Sequence, residues 1–136
     1  MKKCSYLFLT IIMIFNMLMP ININAEETTE KFYEYNTYTV KYEIVNEWEN
    51  NQNVKITLTN MSEDEIVGWA VGFDSTGEIN DLWNGVVYKN NGTNYIIKNA
   101  GYNYVIAPDS SVEFGYTLNN AEGMPEKMMF VWVKAS

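Results

Sequence analysis

The side chains that run hydrolytic and redox chemistry are scarce in this sequence. It contains no histidine and one cysteine, Cys4. A Ser-His-Asp triad, most zinc sites and a histidine-bound copper centre are therefore excluded. Acid–base work would fall to carboxylates, paired as in glycoside hydrolysis. Asp74, Glu78 and Asp81 are the candidates, but they flank the turn Ser75-Thr76-Gly77 and so line a solvated turn rather than a cleft. Their spacing misses the EF-hand pattern, which leaves calcium at that turn as the minor alternative. Glu63-Asp64-Glu65 reads as a solvated hairpin turn in the same way. The sequons Asn60-Met61-Ser62 and Asn91-Gly92-Thr93 are most simply turn chemistry. The expectation is a protein that is not an enzyme and needs neither metal nor cofactor.

Binding chemistry is better supplied. Trp48, Trp83 and Tyr102 each stand at a strand end or turn beside amides, in Asn46-Glu47-Trp48, Trp83-Asn84-Gly85 and Gly101-Tyr102-Asn103. Three aromatics partnered by Asn46, Asn84 and Asn103 suggest a flat face that is both polar and aromatic. Such a face suits a sugar polymer. Axial C–H groups of a pyranose stack on an aromatic plane while equatorial hydroxyls reach the amides. Removing ~100 Å² of mostly apolar surface per ring contact contributes about 2–3 kcal/mol. Several contacts on one rigid face favour a polymer over a single sugar, although association also costs rigid-body freedom.

The elements that must hold these residues are strands. Val40, Tyr42 and Ile44 alternate with Thr39, Lys41 and Glu43, and Val54, Ile56 and Leu58 alternate with Lys55, Thr57 and Thr59. In Ile66-Val-Gly-Trp-Ala-Val-Gly-Phe73, one face collects Trp69, Val71 and Phe73, which places Trp69 and Phe73 in the core. Further strands are expected over 86–89, 94–98, 104–106, 112–118 and 129–134; that over 112–118 adds Phe114 to the core. Trp132 shares a face with Phe130 and Lys134, and partial burial is expected for it. Period-2 alternation of β-branched and aromatic residues, broken by Asn-Gly, Ser-Thr-Gly and Pro-Asp-Ser turns about every ten residues, reads as a sandwich of antiparallel strands. The expected class is all-β, a single immunoglobulin-like β-sandwich, without helical periodicity or internal repeats.

Composition sets the surroundings. Lys2 and Lys3 precede an apolar run from Tyr6 to Met19, and Pro20 and Ile23-Asn24-Ala25 follow. This is the pattern of a secretory signal peptide over residues 1–25, with cleavage after Ala25, and not of a membrane anchor. Beyond Ala25 lie 111 residues with all 17 acids, seven lysines and no arginine, a net charge of −10. That balance argues against nucleic acid and against anionic membrane. No cysteine remains for a disulfide, so the core alone must hold a domain of this size. Residues 26–37 read as a polar lead-in whose Phe32, Tyr33 and Tyr35 dock on the domain edge, and 38–136 as the domain, a monomer in the extracellular space.

The ordered landmarks Asn46-x-Trp48, Gly68-Trp69 with Phe73, Leu82-Trp83, Asn99-Ala100-x-Tyr102-Asn103, Ile106-x-Pro108 and Phe114-Gly115-Tyr116 resemble the family 2 carbohydrate-binding modules, from about Val40 to Phe130. That family consists of small secreted β-sandwiches attached to bacterial cellulases and xylanases. The resemblance implies that Trp48, Trp83 and Tyr102 take the places of three coplanar exposed aromatics, and Trp69 that of the buried one. It also marks differences: no cysteines for a bond between the termini, and Asn51-Gln52 where the family has Gly-Phe. The implied partner is a polysaccharide, cellulose first and xylan second. Coplanar rings would favour cellulose and twisted planes xylan. Buried rings would favour a cell-surface or protein-binding sandwich that has lost sugar binding.

Overall fold

The computed structural model describes residues 29–134; the expected signal peptide and its cleavage point lie outside them. In chain order the strands are β1 (Glu30–Glu34), β2 (Tyr38–Trp48), β3 (Asn51–Asn60), β4 (Ile66–Val67), β5 (Ala70–Asp74), β6 (Glu78–Trp83), β7 (Gly85–Asn91), β8 (Asn94–Asn99), β9 (Val105–Ile106), β10 (Ser111–Asn119) and β11 (Met128–Phe130). One sheet has the order β1-β2-β3-β10-β6 and the other β11-β5-β8-β7, with a short β4-β9 ladder at one end. Every pairing is antiparallel. The chain is an all-β sandwich.

Alternation decides what fills the space between the sheets. Val40 and Tyr42 from β2, Val54, Ile56 and Leu58 from β3, and Phe114, Tyr116 and Leu118 from β10 turn inward and are buried. They meet Val71 and Phe73 of β5 and Tyr95 and Ile97 of β8. Aromatic pairs join the layers: Trp69 stacks on Phe114 with centroids 5.5 Å apart, and Phe73 on Tyr116 at 6.2 Å. Trp69 is 2 % exposed, and its indole N–H donates to the Asn103 carbonyl at 2.6 Å, which satisfies its one polar atom.

The structure departs from the sequence reading at four places. Residues 30–34 of the expected lead-in are β1, and Tyr33 is buried with its hydroxyl donating to the Pro125 carbonyl. The polar segment with Glu78 and Asp81 is not a turn but β6, at a sheet edge where one side of the strand needs no apolar residues. The run Ile66–Phe73 is broken at Gly68 (φ 76°), so β4 and β5 lie in different sheets. Trp132 is 95 % exposed rather than partly buried, because β11 ends at Phe130, whose ring stacks on Tyr38 at 4.0 Å.

Asn60 settles the first sequon. It is fully buried, with Nδ2 donating to the Asp64 and Ile106 carbonyls and Oδ1 accepting from the Ser62 N–H and hydroxyl. That amide is turn chemistry.

Candidate functional site

Strict alternation along β2 would put Tyr42, Ile44, Asn46 and Trp48 on one side of the sheet, facing the core. The pairing prevents this. Ile44 lies opposite Val54, but Asn46 lies opposite Asn53, so β2 spends two residues where β3 spends one. Val45 is the extra residue of a β-bulge. Beyond it the parity reverses. Asn46 pairs with Asn53 and Trp48 with Asn51, while Glu47 pairs with the buried Gln52. Trp48 is thereby carried to the outer face of the five-stranded sheet, 40 % exposed.

A second bulge does the same for Trp83. Thr117 of β10 pairs with Asn80, yet Gly115 pairs with Trp83, so β6 takes three steps against two. Asp81 absorbs the extra residue in a left-handed conformation (φ 50°). Leu82 then packs on the core and Trp83 turns out, 43 % exposed. Its indole lies against Gly115, where a Cβ would overlap the ring. One side of the ring is covered by bare backbone and the other is left to solvent. Beside it is a shallow groove of about 410 Å³ lined by Val45, Asn53, Lys55, Asp81 and Thr117.

The register also sets the spacing. Trp83 stands in a row with Gly115, Lys55 and Glu43, whereas Trp48 stands in the row of Asn51. Three strand spacings across and four residues along β3 separate the two Cα positions by roughly 19 Å. Only a long oligomer or a polymer reaches both.

Tyr102 belongs to the loop between β8 and β9 and is 74 % exposed. Its hydroxyl donates to the Asn84 Oδ1, at the edge where Trp83 ends β6. Asn84 itself is left-handed (φ 57°) as the chain crosses to β7. Asn103 fastens the same loop: Nδ2 donates to the Asn84 carbonyl at 2.8 Å and Oδ1 accepts from the Ala100 N–H at 2.8 Å. The structure therefore brings Trp83, Asn84, Tyr102 and Asn103 together and places Trp48 and Asn46 farther along the same sheet. The Asn103 side chain is occupied internally. Asn46 is exposed, its Oδ1 accepting from the Glu47 N–H at 3.0 Å.

Charge around this face is mixed. Lys55 pairs with Glu43 at 3.2 Å, and Lys41 pairs with Glu30 at 3.2 Å. Among the described residues no group of three His, Cys, Asp or Glu side chains is placed to hold a metal ion. The Asp74 carboxylate accepts from the Asn94 amide at 3.2 Å.

Residues 38–132 match the family described as cellulose binding domain. The chain belongs to the family 2 carbohydrate-binding modules. One relative, Endo-1,4-beta-xylanase A of Cellvibrio japonicus (strain Ueda107), is 35 % identical over 92 residues, which are 67 % of this chain and 15 % of the xylanase. Two solved domains share the module's fold. The chitin-binding domain of Chi18aC from Streptomyces coelicolor aligns with TM-score 0.58 at 24 % identity, covering 69 % of this chain and 90 % of that one. The cellulose-binding family 2 domain from ScLPMO10C aligns with TM-score 0.53 at 22 % identity, covering 71 % and 96 %. The family is one of binding modules, so a polysaccharide is the partner class. The residues that sequence reasoning missed are those that shape this outer face: Val45 and Asp81, which bulge, and Gly115, which seats Trp83.

Proposed function

We propose that this family 2 module is a secreted, non-catalytic and monomeric binder of β-glucan, cellulose first, acting through Trp48, Trp83 and Tyr102. The observation that carries the reading is that two separate bulges turn Trp48 and Trp83 to one solvent face. Each bulge costs ladder hydrogen bonds and, at Asp81, a left-handed residue, which burial of the rings would not require. Tyr102, held to Asn84, extends the platform past the β6 edge. In this reading Asn46 and Asn84 are the amides nearest the ligand, and Asn103 positions the loop that presents Tyr102. Xylan is the second reading, favoured by the 35 % identity to a protein named as a xylanase.

The test is adsorption to microcrystalline cellulose and to insoluble xylan. Each of Trp48→Ala, Trp83→Ala and Tyr102→Ala weakens adsorption while circular dichroism stays native, and Trp83→Ala weakens it most. Adsorption changes little between about 0.05 and 0.5 M NaCl, because the contacts are to a neutral ligand. A folded triple variant that still adsorbs like the parent removes the platform.

A further inference from the structure

The loop that presents Tyr102 on one side presents Tyr104 on another. The Gly68 N–H donates to the Tyr104 carbonyl at 2.6 Å, and the Tyr104 ring is 50 % exposed. It lines a groove of about 570 Å³ with Val67, Lys98, Asn99, Trp132 and Lys134. This groove is built on β4, β8 and the segment after β11, away from the five-stranded sheet. The Val131 N–H donates to the Ala70 carbonyl at 3.0 Å, and its side chain fills the space over Gly72. That anchor precedes Trp132, whose ring stands almost wholly in water. A tryptophan so placed contributes nothing to the core.

The polar groups of the groove differ from those of the platform. Asn99 is already spent: its Nδ2 donates to the Trp69 carbonyl at 3.2 Å and its Oδ1 accepts from the Gly101 N–H at 3.1 Å. What remains is Lys98 and Lys134. Among the described residues no carboxylate lines the groove, although the sequence has 17 acids against nine lysines. Lys41 and Lys55 are each paired with glutamate, but among the described residues neither Lys98 nor Lys134 forms an ion pair. The Lys98 ammonium sits 5.8 Å from the Tyr88 ring centroid. Two aromatic faces with two lysines and no available amide suit a ligand with an apolar flat side and a negative charge.

We propose that this groove is a second glycan site for a pyranose carrying a carboxylate, that is, a uronic acid residue. Trp132 and Tyr104 cover the sugar ring, and Lys98 and Lys134 hold the carboxylate. An acidic peptide would satisfy the lysines but has no rigid apolar face to cover both rings. The site is independent of the neutral platform and stands whether or not the platform binds cellulose.

The experiment follows the four indole N–H signals of the full chain by ¹H–¹⁵N NMR, each assigned by a single tryptophan substitution. Three probes are titrated: xylotetraose carrying one glucuronic acid, undecorated xylotetraose, and hexaglutamate. The Trp132 signal shifts with the decorated sugar at an affinity roughly threefold to tenfold above that for the undecorated one, as two exposed charge contacts allow. Raising NaCl to about 0.5 M removes that preference, as does Lys98→Gln with Lys134→Gln. Trp132→Ala, at a position outside the core, stays folded and loses binding of the decorated sugar at this groove, read from the neighbouring Tyr104 amide. A Trp132 signal that ignores the decorated sugar, responds equally to both sugars, or responds as strongly to hexaglutamate overturns the proposal.

Discussion

At the scale of single residues, Gly115 is the position on which the proposed platform turns. A methyl group there would overlap both the Trp83 ring and the Val54 carbonyl of the neighbouring strand. Gly115→Ala should therefore destabilise the module by about 1–3 kcal/mol, as overpacking does, and should weaken adsorption by tilting the ring off its seat. Part of that loss belongs to the ring and part to the backbone, and a double-mutant cycle separates them. In a Trp83→Ala background the cost of Gly115→Ala falls, because one of the two clashes is gone, whereas adsorption does not return. An equal cost in both backgrounds would mean that Trp83 does not rest on Gly115. Residue identities in the core were legible in advance: Trp69, Phe73 and Phe114 follow from alternation alone, and all are buried. The amides were less legible. Asn103 and Asn84 look alike in sequence, but an amide bonds to a nearby backbone as readily as to a ligand, and only the loop geometry shows Asn103 spent on the Asn84 and Ala100 backbone.

At the scale of elements, the face depends on two bulges that periodicity cannot reveal. A period-2 pattern assigns Ile44, Asn46 and Trp48 to one side, and a one-residue slip moves every later side chain to the other. Deleting Val45 removes the bulge without changing any pair: Ile44 stays inward opposite Val54, and Trp48 stays outward opposite Asn51. The expected result is a folded protein with parent-like tryptophan emission and adsorption within about twofold of the parent's, unlike Trp48→Ala, which loses part of one ring's apolar burial. A deletion variant that buries Trp48 or adsorbs like Trp48→Ala would mean that the register beyond Val45 is not what presents the ring. The same physics explains the other elements that alternation misjudged. β6 reads as turn because its sequence, Glu-Ile-Asn-Asp-Leu-Trp, is polar and interrupted by the bulge at Asp81. β1 reads as lead-in because an edge strand buries little more than Tyr33.

At the scale of the whole molecule, the sandwich carries a cluster of buried phenols that ties its stability to pH. Tyr33 is packed under Pro125, Tyr42 donates to the Gln52 Oε1 at 3.2 Å, and Tyr116 is fully enclosed beside them. Burial raises the pKa of all three above the ordinary phenol value of 10.0, and neighbouring tyrosines raise them further. A phenol whose pKa is higher in the folded state keeps its proton there after the unfolded chain has released it. Below pH 10 both states are protonated and stability is independent of these groups. Above it the unfolded state binds fewer protons, so stability falls as pH rises, by at most about 4 kcal/mol per pH unit for three such groups. Chemical denaturation between pH 8 and pH 11, at constant ionic strength, should show a plateau and then a steep decline beginning near 10. Tyr116→Phe removes one phenol and leaves the ring, so its decline is shallower by about one third. Its stability at pH 8 stays within about 1.5 kcal/mol of the parent's, the net worth of one hydrogen bond at most, because only the Tyr42 hydroxyl stands beside the one it loses. A parent and a Tyr116→Phe variant with the same alkaline slope would mean that this phenol reaches water before the fold is lost.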